Sequence, residues 1–471
     1  MTTSSSVYRD QVLEIEPTGI EPVGDAQRHG SPRDLFGVWF SANAEIATWM
    51  VGVFVTSLYG TDLRSAIVGI VLGNVAGFGL LGILGTFGPR YGVPQMVASR
   101  LAFGRTGNAA PAGLSFLAGI GWFAINTVFG AYALQTIAGI GYFVGLAIML
   151  VLQIALAIYG YNMIHAFERA SVALLAAGFL LLGAATIAHA NWSAPFNAHA
   201  PLANGGALAG FIYATALAFS YATGWVPCAS DYSRYLPRAT DPRAIWRYSF
   251  LGCAIPCIAL EILGAATVSA TPMNLGNALP TDAISHLLGS GIVAKLVLAT
   301  VVLGTLTANC MNLYSGALAA LVAFDVRVKR AIAAAVVGVV GALLATGGGH
   351  PRETAELYTN FLLVLSYWAA PWAGVVLVDW ALARGVERDP ERVRGVRAGF
   401  FAWLIGLAAS LPFWNQAWFT GPLARAFPQI GDLSYYVGLC AAALAMWALE
   451  TLRRRDDAEP ARGELRAAAN D

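Results

Sequence analysis

About twelve apolar stretches, each long enough to cross the ~30 Å hydrocarbon layer of a bilayer, follow one another between residues 36 and 451. Lipid offers no hydrogen-bond partner to backbone N–H and C=O groups, so stretches of this length fold as helices that satisfy themselves. They lie near 36–58, 65–88, 111–135, 139–160, 170–190, 206–228, 245–270, 292–323, 331–347, 354–380, 398–414 and 432–451. Composition agrees: 57% of the 471 residues are hydrophobic and only 12% charged, outside the range of soluble domains.

Alternate loops are basic. Arg90, Arg100 and Arg105, then Arg169, then Arg234, Arg238, Arg243 and Arg247, then Arg327, Lys329 and Arg330, then Arg384 to Arg397 fall on one side. Arg9, Arg28 and Arg33 at one end and Arg453, Arg454 and Arg455 at the other join them, whereas the opposite loops hold Arg64, Lys295, Arg352 and Arg425. The positive-inside rule then places both termini in the cytoplasm, with an even number of spans in the plasma membrane, or the inner membrane of a bacterium. Residues 1–34 are polar and lack the short apolar core and cleavage site of a signal peptide, so they read as a cytoplasmic tail, as do 453–471. A net charge of +1 gives no reason to expect a nucleic-acid partner. The five cysteines lie in or beside spans, where they pack as small hydrophobes.

Two spans are interrupted. The first carries Ser41-Ala42-Asn43-Ala44-Glu45-Ile46-Ala47-Thr48-Trp49, and the sixth carries Phe219-Ser220-Tyr221-Ala222-Thr223-Gly224-Trp225-Val226-Pro227. Hydroxylated and helix-breaking residues are tolerated at this depth where the freed backbone faces protein or a cavity, and Gly224 and Pro227 disfavour a continuous helical ladder. Paired breaks in two halves point to an inverted repeat with its site near the midplane. The expected fold is therefore an all-α polytopic membrane protein, a 5+5 inverted repeat of the leucine-transporter type with spans 1 and 6 discontinuous and two further helices. The transporter domain covers 35–452, with repeats at about 35–190 and 206–380 and the added pair at about 398–451. Gly69, Gly73 and Gly77 form a small-residue ridge suited to helix packing, with no ligand role.

Polar groups inside the spans nominate a site. Trp122 and Asn126 stand four apart on one helix face, an indole plane beside an amide that supplies donors and an acceptor. With Ser220, Tyr221 and Trp225 of the sixth span, and Asn309 and Asn312 of the eighth, they are the candidate substrate-binding residues. Thr305, Asn309 and Asn312 follow i, i+4, i+7 spacing; such a stripe either glues two helices or faces substrate and ion. Ala44, Glu45, Ala47, Thr48, Thr305 and Thr307 are the candidate coupling residues: backbone carbonyls and threonine oxygens suit sodium, and this is the one candidate metal site. Glu45 and Glu261 are the carboxylates placed well inside the bilayer, where charge is costly and usually functional, so each is a candidate proton carrier. No hydrolytic or phosphate-loop motif occurs, which argues against an enzyme or an ATP-driven pump.

The residues resemble the purine-cytosine permease branch of the nucleobase:cation symporter family. The resemblance is carried by Gly19-Ile20-Glu21-Pro22-Val23, Arg28-His29-Gly30-Ser31-Pro32, Trp39-Phe40-Ser41-Ala42-Asn43, Gly121-Trp122-Phe123 with Asn126, and Asn312-Leu313-Tyr314-Ser315. Trp368-Ala369-Ala370-Pro371-Trp372 and, most specifically, Asp231-Tyr232-Ser233-Arg234-Tyr235-Leu236-Pro237 complete it. It implies uptake of cytosine, a purine or a related ring by symport with a proton or sodium ion, and no other cofactor. Trp122 and either Trp225 or Tyr221 would sandwich the ring, Asn126 and Asn312 would bond its edge, and Asp231 and Arg234 would pair in a cytoplasmic loop. Glu45, which the resemblance implies is a neutral residue in many relatives, favours a proton over sodium. The expected partners are the heterocycle, the cation and the bilayer, with the chain a monomer. Transport of allantoin, hydantoin or a thiamine-precursor-like solute is the alternative, and a ligand sensor without transport a remoter one.

Overall fold

A computed structural model describes residues 16, 18–271, 280–326, 328–349, 351–384, 386–416 and 418–468, with backbone alone at 280, 348–349, 351–357 and 454–468. Arg9 and Arg327 lie outside the described residues, as do the side chains of Arg352, Arg454 and Arg455.

Among the described residues, nine helices are long and apolar enough to cross a membrane, a tenth span is a bent pair, and two shorter apolar helices, Arg330–Ala345 and Ala398–Phe413, bring the total to the twelve expected stretches. Span 1 is the pair Pro32–Asn43 and Ile46–Ser57. Spans 2 to 6 are Leu63–Gly85, Ala109–Ala138, Tyr142–Tyr159, Tyr161–His189 and Gly206–Trp225. Spans 7 to 11 are Pro242–Ala270, Ile292–Ala323, Arg330–Ala345, Pro351–Leu382 and Ala398–Ser410, and span 12 is Ser434–Arg453, the first part of a helix that runs on to Ala468. A short helix, Pro280–Leu288, lies between spans 7 and 8, where the hydropathy pattern gave no sign of one.

The largest departure from the expected boundaries is span 5, which begins at Tyr161 rather than near 170. Its first turns contain Asn162, His165, Glu168 and Arg169, polar enough to read as loop, yet Glu168 is fully buried. Arg169 therefore belongs to a helix and not to a loop, and Glu45 and Glu261 are not the only carboxylates inside the bundle.

Span 1 breaks where its side chains take over backbone hydrogen bonding. Asn43 Nδ2 donates to its own helix at Trp39 O (2.8 Å) and Thr48 Oγ1 to Asn43 O (2.7 Å). Ala44 and Glu45 leave helical torsions, and the two halves meet at 56°. The sixth span ends its α-helix at Trp225 and passes through a 3-10 turn, Val226–Cys228, into further turns, so its interruption is a change of helix type rather than a sharp bend. Pro227 has no N–H to continue the ladder.

Spans 1, 2, 6 and 7 pack chiefly on one another, and spans 3, 4, 8 and 9 form a second group. Glycines set the close approaches in the first group. A Cβ at Gly69, Gly73 or Gly77 would come within 2.4–2.7 Å of an atom of span 6, and one at Gly264 would lie 1.9 Å from Trp49 O. The small-residue ridge of span 2 is thus a packing surface.

The segment after span 6 closes one end of the bundle. Asp231 accepts the Gln95 N–H at 2.8 Å, Tyr232 donates to Met311 O at 2.9 Å, and Ser233 donates to Gly85 O at 2.6 Å. Burial pushes the Asp231 carboxyl up to about 6, against the opposing effect of the Gln95 hydrogen bond.

Candidate substrate and coupling site

The break in span 1 faces three other helices. Glu45 occupies the N-cap of the second half without capping it, which leaves its carboxylate for Tyr221, whose hydroxyl donates to Oε1 at 3.0 Å. The same hydroxyl lies 2.6 Å from Thr48 Oγ1. Glu45 Oε2 has no hydrogen-bond partner. Span 8 comes up to the break because Gly304 has no side chain: a Cβ there would sit 2.7 Å from Ala44 O. Thr307 Oγ1 reaches across to Ser41 O at 2.9 Å. Ala47 O accepts a hydrogen bond from Tyr358 of span 10 at 2.8 Å.

Trp122 lies beside this cluster within an aromatic enclosure. Its ring meets Tyr221, Tyr358 and Phe361 edge to face, with centroids 5.3, 5.8 and 5.3 Å away. Gly224 leaves room next to the indole, since a Cβ there would fall 3.3 Å from Trp122 Nε1. Asn126, one turn along, neighbours Glu45, yet neither its amide nitrogen nor its oxygen makes a hydrogen bond of ordinary geometry. A fully buried amide held by nothing better than its approach to the Glu45 carboxylate is costly. A planar ligand with polar edges would relieve that cost.

The structure separates the other nominated residues. Trp225 packs edge to face on Trp39 (5.8 Å), so Tyr221 is the span 6 aromatic at the indole of Trp122. Ser220 donates to Leu362 O, tying span 6 to span 10. Asn309 donates to Phe123 O (2.9 Å) and Thr127 Oγ1 (3.1 Å) and accepts from Asn312 at 3.2 Å. The amide stripe of span 8 therefore joins it to span 3, the packing role weighed for it from sequence. Thr305 lies on that side too, donating to Val302 O (2.9 Å) against Gly130, away from the span 1 break that Thr307 touches. Thr305 and Thr307, two residues apart, point to different neighbours because consecutive helical positions turn by about 100° each.

Two further carboxylates stand behind the site. Glu168 accepts from Cys310 Sγ at 3.3 Å, and its backbone carbonyl accepts from Ser41 Oγ at 2.8 Å. Glu261 accepts from Asn74 at 2.8 Å. Sequence reasoning missed Glu168, Tyr358 and Phe361. The pair Tyr358 and Phe361, three apart at the start of an apolar helix, looks from sequence like ordinary core.

The cluster is enclosed on both sides: Trp122 is 5% exposed, Glu45 1%, and Asn126, Thr48 and Tyr221 not at all. Outside it, a cavity of about 570 Å³ is walled by Tyr59, Tyr213, Asn204, Asn360 and Gln416. The first turns of span 10 form the partition, with Thr359, Asn360 and Leu363 toward the cavity and Tyr358 and Phe361 toward Trp122.

Comparison with known proteins supplies independent evidence. The family model described as permease for cytosine/purines, uracil, thiamine and allantoin matches residues 22–438. A purine-cytosine permease of Emericella nidulans is 30% identical over 92% of this chain and 88% of its own, and a putative purine-cytosine permease of Bacillus subtilis is 27% identical over 93% and 96%. Among solved structures, a nucleobase-cation-symport-1 family transporter, closed with bromovinylhydantoin bound, superposes with a TM-score of 0.72 at 21% identity, over 94% of this chain and 97% of that one. A sodium-coupled sialic acid symporter shares the fold more distantly, with a TM-score of 0.60 at 13% identity over 91% of each chain. Both likenesses support the inverted-repeat transporter fold.

Proposed function

The chain belongs to the permease family for cytosine/purines, uracil, thiamine and allantoin, and on that premise we propose that it imports a nucleobase, cytosine or a purine, by symport with a cation. The observation that carries this reading is the idle, fully buried amide of Asn126 one helical turn from the indole of Trp122. A nucleobase offers a flat face to the indole and alternating donors and acceptors to the amide, and Tyr221 supplies the opposing ring. To admit it, the edge-to-face rings of Tyr221, Tyr358 and Phe361 must part, which makes span 10 the outer barrier. Rocking of the group of spans 1, 2, 6 and 7 against spans 3, 4, 8 and 9 then exposes the site to either side in turn.

The coupling ion in this reading is a proton carried by Glu45. Its carboxyl shares the Tyr221 hydroxyl with Thr48 at the wall of the substrate site, so loading a proton and loading a base act on one hydrogen-bond cluster. Thr307 and the carbonyls of Ala44 and Ala47 remain the sodium alternative at the same break. The chain works as a monomer in the plasma membrane with both termini in the cytoplasm.

Radiolabelled uptake into permease-deficient cells tests this, with cytosine, adenine, hypoxanthine, uracil, allantoin and hydantoin each run with and without cold competitor, at several pH values, with and without sodium. Accumulation of cytosine or a purine that steepens with an inward proton gradient is expected. Accumulation of none of the six overturns the substrate reading, and sodium dependence at constant pH overturns the proton.

A further inference from the structure

A buried carboxylate that the transport reading does not use adds to the contacts that Tyr232 makes with Met311 and Ser315 in tying the two helix groups at the inner face. Glu16 lies ahead of span 1, its side chain 7% exposed. One oxygen accepts from Arg234 Nη2 at 2.9 Å, the Tyr235 hydroxyl at 2.5 Å and the Tyr314 hydroxyl at 3.1 Å. The other accepts the Tyr161 N–H at 3.0 Å and lies 3.4 Å from Arg330 Nε. Arg234 is wholly buried, and its second terminal nitrogen donates to Gly19 O at 2.7 Å. The backbone is held as well, through Glu16 N–H to Tyr159 O at 3.0 Å and Val23 N–H to Gly92 O at 2.9 Å.

These partners come from both moving groups. Arg234 and Tyr235 follow span 6, in the first group, whereas Tyr314 is in span 8 and Arg330 opens span 9, in the second. Tyr161 starts span 5, which lies between them. One carboxylate therefore ties the two groups together at the cytoplasmic end, beside a cavity of about 570 Å³ walled by Gly19, Glu21, Arg105 and Arg330. No relative rotation of the groups can open the inner side with all of these contacts intact. A buried ion pair is a suitable bolt because removing either partner leaves an uncompensated buried charge, which is strongly unfavourable, yet both partners regain water once the inner side opens.

We propose that Glu16, with Arg234 and Arg330, is an inner latch that sets the balance between the outward-facing and inward-facing forms and must release in each transport cycle. The proposal rests on the transporter reading, but its test needs no substrate. The reporter is Cys228, half-buried at the inner end of span 6, in a Cys440→Ser background, labelled with a membrane-impermeant maleimide in inside-out vesicles. A second reporter, Asn360→Cys in the outer cavity, is labelled in right-side-out vesicles. Glu16→Gln keeps the shape and removes the charge; Glu16→Ala removes both.

Each variant should raise the labelling rate of Cys228 about tenfold, the effect of a 1.4 kcal/mol bias, and lower that of the outer reporter. Merely local loosening around Glu16 would raise the inner rate and leave the outer one unchanged, which overturns the latch. Unchanged rates at both reporters in Glu16→Gln overturn it too, whether or not Glu16→Ala inserts. A failed uptake panel with reciprocal labelling intact would instead sink the substrate reading and leave the latch standing.

Discussion

Replacing Tyr221 by Phe removes one oxygen and almost no volume, so it isolates the hydrogen-bond cluster at the span 1 break from the packing around it. In the native protein that hydroxyl donates to Glu45 Oε1 at 3.0 Å and lies 2.6 Å from Thr48 Oγ1. Thr48 keeps its bond to Asn43 O, so it loses little. Glu45 loses more, because its other oxygen makes no well-formed hydrogen bond and only the neighbouring Asn126 amide remains to the carboxylate. An unsatisfied buried polar group costs about 1–3 kcal/mol. If that cost falls on the loaded, occluded form, uptake at low substrate concentration drops about tenfold, corresponding to ~1.4 kcal/mol. The assay is initial uptake of whichever labelled base the native protein accumulates, normalised to transporter in the membrane, with size-exclusion fluorescence reporting folding. Uptake within twofold of native, in well-folded protein, would refute the coupling of Tyr221 to Glu45.

Asn126→Leu should leave thermal stability in detergent unchanged or slightly raised, since the native amide is unpartnered, while abolishing uptake; a large loss of stability would show that the amide is structural. Gly264→Ala should prevent correct folding, because the new Cβ would lie 1.9 Å from Trp49 O, whereas Gly79→Ala, with nothing within 4 Å, should be silent in expression and uptake. Asp231 holds its proton more firmly in the folded chain than its ordinary 3.8, so its contribution to stability is full below pH 3.8 and is lost as pH rises through about 6. The melting temperature of purified protein should carry that decline, and Asp231→Asn should flatten it; an identical slope in the variant would refute the assignment. Asn74→Ala removes the hydrogen bond to Glu261 and should lower stability by about 1–3 kcal/mol, read as a lower melting temperature with substrate competition unchanged.

Hydropathy located nearly every span within a few residues, because in lipid a segment must be both apolar and helical over its whole length. It failed at the start of span 5, where Asn162, His165 and Glu168 are polar yet lie buried or half-buried within the helix, since hydropathy measures lipid exposure and cannot see a polar face turned toward protein. The pairing of Trp122 and Asn126 was legible for a related reason: helical spacing fixes which residues share a face. Choosing between Tyr221 and Trp225 was not, because the choice depends on how span 6 rotates against spans 1 and 3. The Asn309 stripe was read correctly as polar and inward, but its partner, Phe123 O on a neighbouring helix, is a tertiary fact. Glu16 gave no signal in its sequence context; the five contacts of its side chain come from residues that follow it by 145 to 314 positions.

The most direct test of the account is an experimental structure of the purified transporter with a transported base bound. The account predicts density for the ring against the indole of Trp122, with one edge at the Asn126 amide and Tyr221 across from it. A base resting in the cavity outside span 10 alone, with Asn126 still idle and Trp122 still closed in by Tyr358 and Phe361, would contradict it.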